Sequence, residues 1–348
     1  MLNKTLIKHK SIFLVLLFFI KSTTIFAQNY ELLYKKLEGD LLLGNFGVVI
    51  RLVDSINADK NLTKIISNDF TTLKVVALSK NNNLTSSLKL INQTLLNPQE
   101  INERSLVRLY LAKALILEIY NKREASELEF KKVENIYKTR PKDRLYGQYL
   151  YRKASYFRVM KAIKNNDSLS LIYVNKGIKF GEENKFYEVS ATSKMILAFL
   201  AEKESQDQRT FLLKNSLKDF LLSKNQLNIS NMYKNIGFHL LYNNKLDEAD
   251  KYLDSSLFII KKRKDLQVLS WLYEAKSKLN QKLKRIDSAL FYYKKFHENE
   301  MLKNDKKQER EISLINYKNQ IEGEKQKSIV SKNLLEETEK KNKILFFL

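Results

Sequence analysis

Between Asn29 and Phe296 apolar residues recur at the three- and four-residue spacing of amphipathic helices, in paired stretches separated by short Asn, Lys and Asp clusters. The breaks fall at Leu43–Gly47, Lys80–Leu84, Tyr120–Glu124, Lys164–Asp167 and Tyr242–Asp247. That is a period of roughly 35 to 45 residues, which marks a repeat of two helices. Asn suits such breaks because it tolerates left-handed backbone angles and bonds its own main chain, ending one helix and opening the next. The chain has only 2 Pro and 8 Gly, and no Asn-Gly or Gly-Gly pair stands between alternating runs, so strands joined by tight turns are not specified. The pattern predicts an all-α chain.

Seven helical hairpins fit this rhythm. The first sets Leu33 and Leu37 against Val49 and Val53; the second, from Asp69 to Leu96, pairs Val76-Ala77 with Leu88-Ile91 and ends before Pro98, which cannot extend a helix. The third sets Tyr110, Ala114 and Leu117 against Ser126, Phe130 and Val133. The fourth (Leu145–Asn184) and fifth (Phe186–Lys224) keep the rhythm with longer helices. The sixth, Asn231–Leu257, is the clearest: Tyr233, Ile236, Gly237 and Leu240 mark one helix, and Ala249, Leu253 and Ser256 the next. Small Gly237 and Ala249 let two backbones approach, while Tyr233 and Leu253 fill the space beside them. The seventh sets Trp271, Leu272, Ala275 and Leu279 against Ala289, Tyr293 and Phe296. A single hairpin leaves one face apolar, and stacking its neighbours buries it.

In the sixth hairpin these large and small positions resemble a tetratricopeptide repeat, with Lys261 where the family usually has Pro. The resemblance implies a right-handed α-solenoid of stacked hairpins over residues 28–296 that binds protein or peptide and is not an enzyme. First-helix side chains line the concave surface of that family. Carried over, those positions are Asn231, Lys234, Phe238 and Leu241 in the sixth hairpin and Arg108, Leu111, Leu115 and Glu118 in the third, with Tyr151, Ser155 and Arg158 as neighbours from the fourth. Amide, cation and aromatic groups together suit an extended peptide bearing a carboxylate or acidic side chains. Lys234 is expected to be exposed there, so that reversing its charge spares the fold.

The ends of the chain add a location. Residues 1–27 read as a secretory signal: Lys4, Lys8 and Lys10 precede an apolar run from Ser11 to Ile20, and Thr23–Ala27 leads to a cut before Gln28. Residues 297–343 are rich in Lys, Glu, Gln and Asn and read as one long charged helix. Leu314, Tyr317 and Ile321 have heptad spacing, but Glu324, Ser328 and Ser331 interrupt the seam before Leu335, which specifies a weak homodimer or a spacer. Lys340, Lys341 and Lys343 precede the apolar run 344–348, which reads either as a short tail or, preferably, as the opening of a truncated transmembrane helix. The expected setting is the periplasmic side of a Gram-negative inner membrane. The whole arrangement resembles the exported input region of membrane-bound regulators whose output domain is absent from this chain; the alternative is a free exported scaffold that assembles envelope proteins.

The net charge of +23 is spread along the chain among acidic residues, so it reads as solvated helix faces and predicts no specific nucleic-acid binding. Absence of cysteine excludes disulfides, thiolate metal sites and a Cys nucleophile. The three histidines, His9, His239 and His297, have no second metal ligand at helical spacing, and neither a nucleophile elbow nor a phosphate-binding Gly-rich loop occurs. No cofactor or metal is expected.

Overall fold

Left-handed residues cut the chain into helices. In the computed structural model positive φ occurs at Gly44, Asn82, Asn121, Asn165, Lys185, Lys224, Asn244 and Lys284, each between two helices. At most of these bends the residue after the left-handed one donates its backbone N–H back to a carbonyl five residues earlier, as in Asn83 to Leu78 (2.9 Å), Lys122 to Leu117 (2.7 Å), Lys245 to Leu240 (3.0 Å) and Arg285 to Asn280 (2.8 Å). This is the Schellman closure that satisfies the last carbonyls of a helix. The next helix begins at once, so each break becomes a tight hairpin.

The described residues are 30–59, 62–159, 165–201, 206–263 and 265–304. Among them the chain is entirely helical and has no strand. Helices α1 (residues 30–43) and α2 (Phe46–Asn57) are followed by α3 (Lys64–Lys80) and α4 (Leu84–Thr94), then α5 (Glu103–Ile119) and α6 (Arg123–Ile136). The series continues with α7 (Arg144–Val159), α8 (Asn166–Glu183), α9 (Tyr187–Leu200) and α10 (Gln206–Ser223). It ends with α11 (Gln226–Tyr242), α12 (Leu246–Arg263), α13 (Leu266–Lys282) and α14 (residues 286–304). Adjacent helices pair and the pairs stack into a solenoid. The signal sequence expected over 1–27, the continuation of the long helix from 305 to 343 and the run 344–348 lie outside the described residues. No helix among the described residues is long and apolar enough to cross a membrane.

A recurring close approach of small residues sets the pairing. Ser87 Oγ donates to the Val75 carbonyl (2.9 Å) and Ser277 Oγ to the Ala289 carbonyl (3.0 Å), each across twelve residues of sequence. Ala114 and Ser126 in the third hairpin, and Gly237 and Ala249 in the sixth, occupy the same register, and Ala114, Ser126 and Ala249 are fully buried. A Cβ added to Gly237 would lie 2.8 Å from Leu253 Cγ and Cδ2, so Leu253 is the group that fills the glycine's face. Beside it Ile236, Leu240 and Ser256 are buried, Ser256 Oγ donates to the Ser230 carbonyl (2.8 Å), and Tyr233 packs on Tyr252 with ring centroids 6.0 Å apart. Trp271 departs from expectation: it stands 41% exposed, outside the α13–α14 contact, while Leu272, Ala275 and Leu279 are buried as the register requires.

The fourth and fifth hairpins lack the twelve-residue register because their closest approach is elsewhere. Ser170 Oγ reaches the Ala154 carbonyl (2.8 Å) across sixteen residues. Gly177 and Gly181 of α8 press on α9, where a Cβ would meet Ser193 Oγ at 2.3 Å and the Ser190 backbone nitrogen at 2.5 Å. Two hairpins therefore lock together through glycines, and the join is as tight as a hairpin interior.

Candidate functional site

The odd-numbered helices face inward and enclose a cavity of about 980 Å³, part of it open to solvent. Every lining residue except Phe46, the first of α2, belongs to α1, α3, α5, α7, α9 or α11 or to the N-cap of α11.

Two ends of the solenoid meet to close it. Asn225, the N-cap of α11, accepts from the Asn228 backbone N–H (3.0 Å) and donates through Nδ2 to the Leu42 carbonyl, 183 residues away. Leu227 packs on the apolar cluster of Leu37, Phe46 and Val49 in the first hairpin. On the same side Glu38 of α1 receives Arg104 (2.7 and 3.0 Å) and Arg108 of α5, and Arg108 also donates to the Tyr34 hydroxyl. Arg108 is 4% exposed and bonded to both Glu38 and Tyr34, so it fastens α1 to α5 at the cavity edge. Pairing of this kind is what permits a guanidinium to be buried.

A second charged group spans α3, α5, α7 and α9. Arg152 donates to Glu118 (2.7 Å), while Lys80 and Arg144 form no direct ion pair among the described residues and share the field of one carboxylate, Glu188. Burial pushes Glu188 above the ordinary carboxylate range against the pull of Lys80 and Arg144 and a hydrogen bond with Asn228. Lys80 opens onto the cavity with part of its side chain exposed, and the protein packed around it lowers its ammonium below the usual lysine range. Tyr151 sits among them, 8% exposed, with its phenol held above its ordinary value first by burial and then by Glu188.

Of the groove residues carried over from the repeat pattern, Arg108, Leu111, Leu115 and Tyr151 come together on this cavity, and Glu118 stands behind it as the partner of Arg152. Ser155 is half-buried on α7, and Arg158, two turns past Tyr151, lies over the Phe199 ring at 5.4 Å. Asn231, Lys234, Phe238 and Leu241 do not line the cavity. Asn231 is half-buried, Leu241 is core, and Phe238 packs against the same cluster. The expected exposure of Lys234 is corrected: it is 7% exposed, with Nζ 4.1 Å from the Trp271 ring centroid and 5.9 Å from that of Phe238. Burial lowers its pKa to about 8, with Asp265 acting in the opposite sense. The seventh hairpin has closed over this part of the concave face, so reversing the charge of Lys234 would bury an unpaired carboxylate. His239 is buried and bonds Thr210 Oγ1 (2.9 Å) and the Gln206 carbonyl (3.2 Å).

Lys80, Arg144, Arg152, Glu188 and Asn228 escaped the sequence reading. The twelve-residue register would have reached their neighbourhood: moved from Ala114/Ser126 to Val75/Ser87, it puts Val76 and Ser79 on the inner face, and both line the cavity beside Lys80. Among the described residues no group of acidic and histidine side chains is arranged to hold a metal.

Neither a family model nor a curated protein matches the chain. Among solved structures, a Rap protein complexed with competence and sporulation factor aligns with a TM-score of 0.55 at 14% identity, over 75% of this chain and 76% of that one. NprR in complex with its cognate peptide NprX aligns at 0.49 and 14% identity over 78% and 82%. The first likeness establishes a shared stacked-hairpin fold.

Proposed function

We propose that this chain is a receptor scaffold for a short peptide, which it holds in the cavity between its odd-numbered helices. The observation that carries this reading is the cavity itself, where six successive inner helices present apolar, amide and charged side chains around one volume. The Rap protein of the same fold is complexed with competence and sporulation factor. Extended peptides bind such surfaces through side-chain pockets at intervals and polar groups that fix direction.

The chain's setting belongs to the same proposal. The signal pattern before Gln28 and the lysines and apolar run at 340–348 support export and a membrane tether, which makes the scaffold the periplasmic input part of a larger regulator. The mature protein recovered from an exporting host should begin at Gln28; an N-terminus at Met1 in that host counts against export.

Retention of a random synthetic pentapeptide library on the full chain tests the site. Leu115→Trp fills the cavity from α5, and it should abolish retention while leaving the helical circular dichroism of the parent. Undiminished retention by that variant would move the ligand elsewhere on the molecule.

A further inference from the structure

The cavity wall divides by chemistry. Lys80, Arg144, Arg152 and Glu188 reach it from α3, α7 and α9, whereas the corner where the two ends of the solenoid meet offers Leu41, Leu42 and Phe46 of the first hairpin and Leu227 of α11. The polar groups of that corner already have protein partners. Glu38 receives Arg104 and Arg108, Asn225 spends its side chain on the Leu42 carbonyl and the Asn228 N–H, and Asn228 is bonded to Glu188. What the corner leaves open to a ligand is mainly hydrocarbon.

A second observation sets this corner apart from ordinary core. Leu41, Leu42 and Leu227 are only half-buried, although Leu37, Phe46 and Val49 beside them are buried. Leu41 and Leu227 pack on the first hairpin's cluster, and Leu227 packs as well on the core of α9 to α13, so both ends of the solenoid supply one apolar surface that faces the cavity. Apolar surface held half-open toward an enclosed space gains by being covered, in proportion to the area removed from water. Stacked hairpins line their inner face with the first helix of each pair; here Phe46, from a second helix, joins the wall because the ends close on each other.

Resting on the peptide reading above, we propose that the corner formed by Leu41, Leu42, Phe46 and Leu227 is a subsite for one large apolar side chain of the bound peptide, of the size of Leu, Met or Phe. The selection is for size and hydrocarbon character. A charged side chain is rejected there, because it would lose its water and find no free partner. The apolar group touches the first hairpin and α11 together, so it binds only while the two are joined. By linkage its occupancy favours the shut seam, whose own ties include the Asn225 hydrogen bond and the packing of Leu227.

Two pentapeptide libraries, one with all residues at its random positions and the other without Val, Ile, Leu, Met, Phe, Tyr and Trp, test this on the full chain. The proposal expects the complete library to be retained roughly tenfold better, with Leu, Met or Phe enriched among the retained peptides. Leu42→Ala should lower that preference several-fold and Leu42→Met restore it; neither removes the seam's hydrogen bond, whose acceptor is the Leu42 backbone carbonyl. Leu227→Ala should lower it too. A retained peptide should also slow hydrogen exchange over residues 30–57 several-fold. Equal retention of the two libraries overturns the apolar subsite and leaves peptide binding standing. A preference unchanged in both Leu42→Ala and Leu227→Ala overturns the residue assignment, and unchanged exchange over residues 30–57 overturns the contact with the first hairpin. Retention of neither library overturns the peptide reading, and the subsite with it.

Discussion

Gly237 and Lys234, three residues apart on α11, illustrate what a single position decides. Alanine is worth about 1 kcal/mol more than glycine in a free helix, yet a Cβ at 237 would strike Leu253, which is fully buried. Gly237→Ala should therefore cost about 1 to 2 kcal/mol in chemical denaturation, whereas Gly39→Ala, with nothing within 4 Å of its Cβ, should stabilise by about 0.5 to 1 kcal/mol. Lys234 shows a charge that burial disfavours. Its folded pKa of about 8 lies below the unfolded value of 10.5, so the unfolded chain binds the proton more tightly and stability rises with pH between the two. Lys234→Met should be more stable than the parent at pH 7 by on the order of 2 kcal/mol, with the gap closing from pH 8 to pH 10.5. A gap independent of pH would mean that the Trp271 face fully compensates the ammonium. The small positions were legible in the sequence because size alone dictates helix approach. The burial of Lys234 was not, because its cover, Trp271, comes from the next hairpin, where its own spacing suggested core.

At the scale of elements, the bends carry the fold's rhythm. Asn82, Asn121, Asn165 and Asn244 were readable as breaks because Asn tolerates the left-handed region. Lys185, Lys224 and Lys284 occupy the same conformation, and nothing in a lysine advertises it. A side chain there costs about 1 kcal/mol, so Lys284→Gly should stabilise by about 0.5 to 1 kcal/mol in chemical denaturation, with the helical content unchanged. The α8–α9 join was missed for a related reason. Gly177, Gly181, Ser190 and Ser193 belong to different hairpins, and a reading that pairs helices within each repeat does not look for contact between repeats.

For the whole molecule, the step that creates a site is the meeting of the first hairpin with the start of α11. The contact joins Leu42 to Asn225 and Leu227, and no local pattern announces a partner 183 residues away. The repeat pattern located only Arg108, Leu111, Leu115 and Tyr151 on the α5 and α7 faces of the cavity, and closure added the α1 and α11 faces. Asn225→Asp keeps the N-cap acceptor for α11 but loses the donor to Leu42. Hydrogen exchange over residues 30–57 should then quicken while α11 to α13 stay protected; uniform loss of protection would mean that the seam holds the whole solenoid and not only the first hairpin. The central claim, that the closed cavity is where ligand sits, is tested most directly by carrying a photoreactive group on the retained pentapeptides and mapping the cross-links on the full chain by mass spectrometry. The account predicts labels on α3, α5 and α7 near Val76, Leu111 and Tyr151, and lost in Leu115→Trp. Labels on the outer helices or on the exposed apolar residues of α14, such as Ile286, Leu290 and Met301, would contradict it.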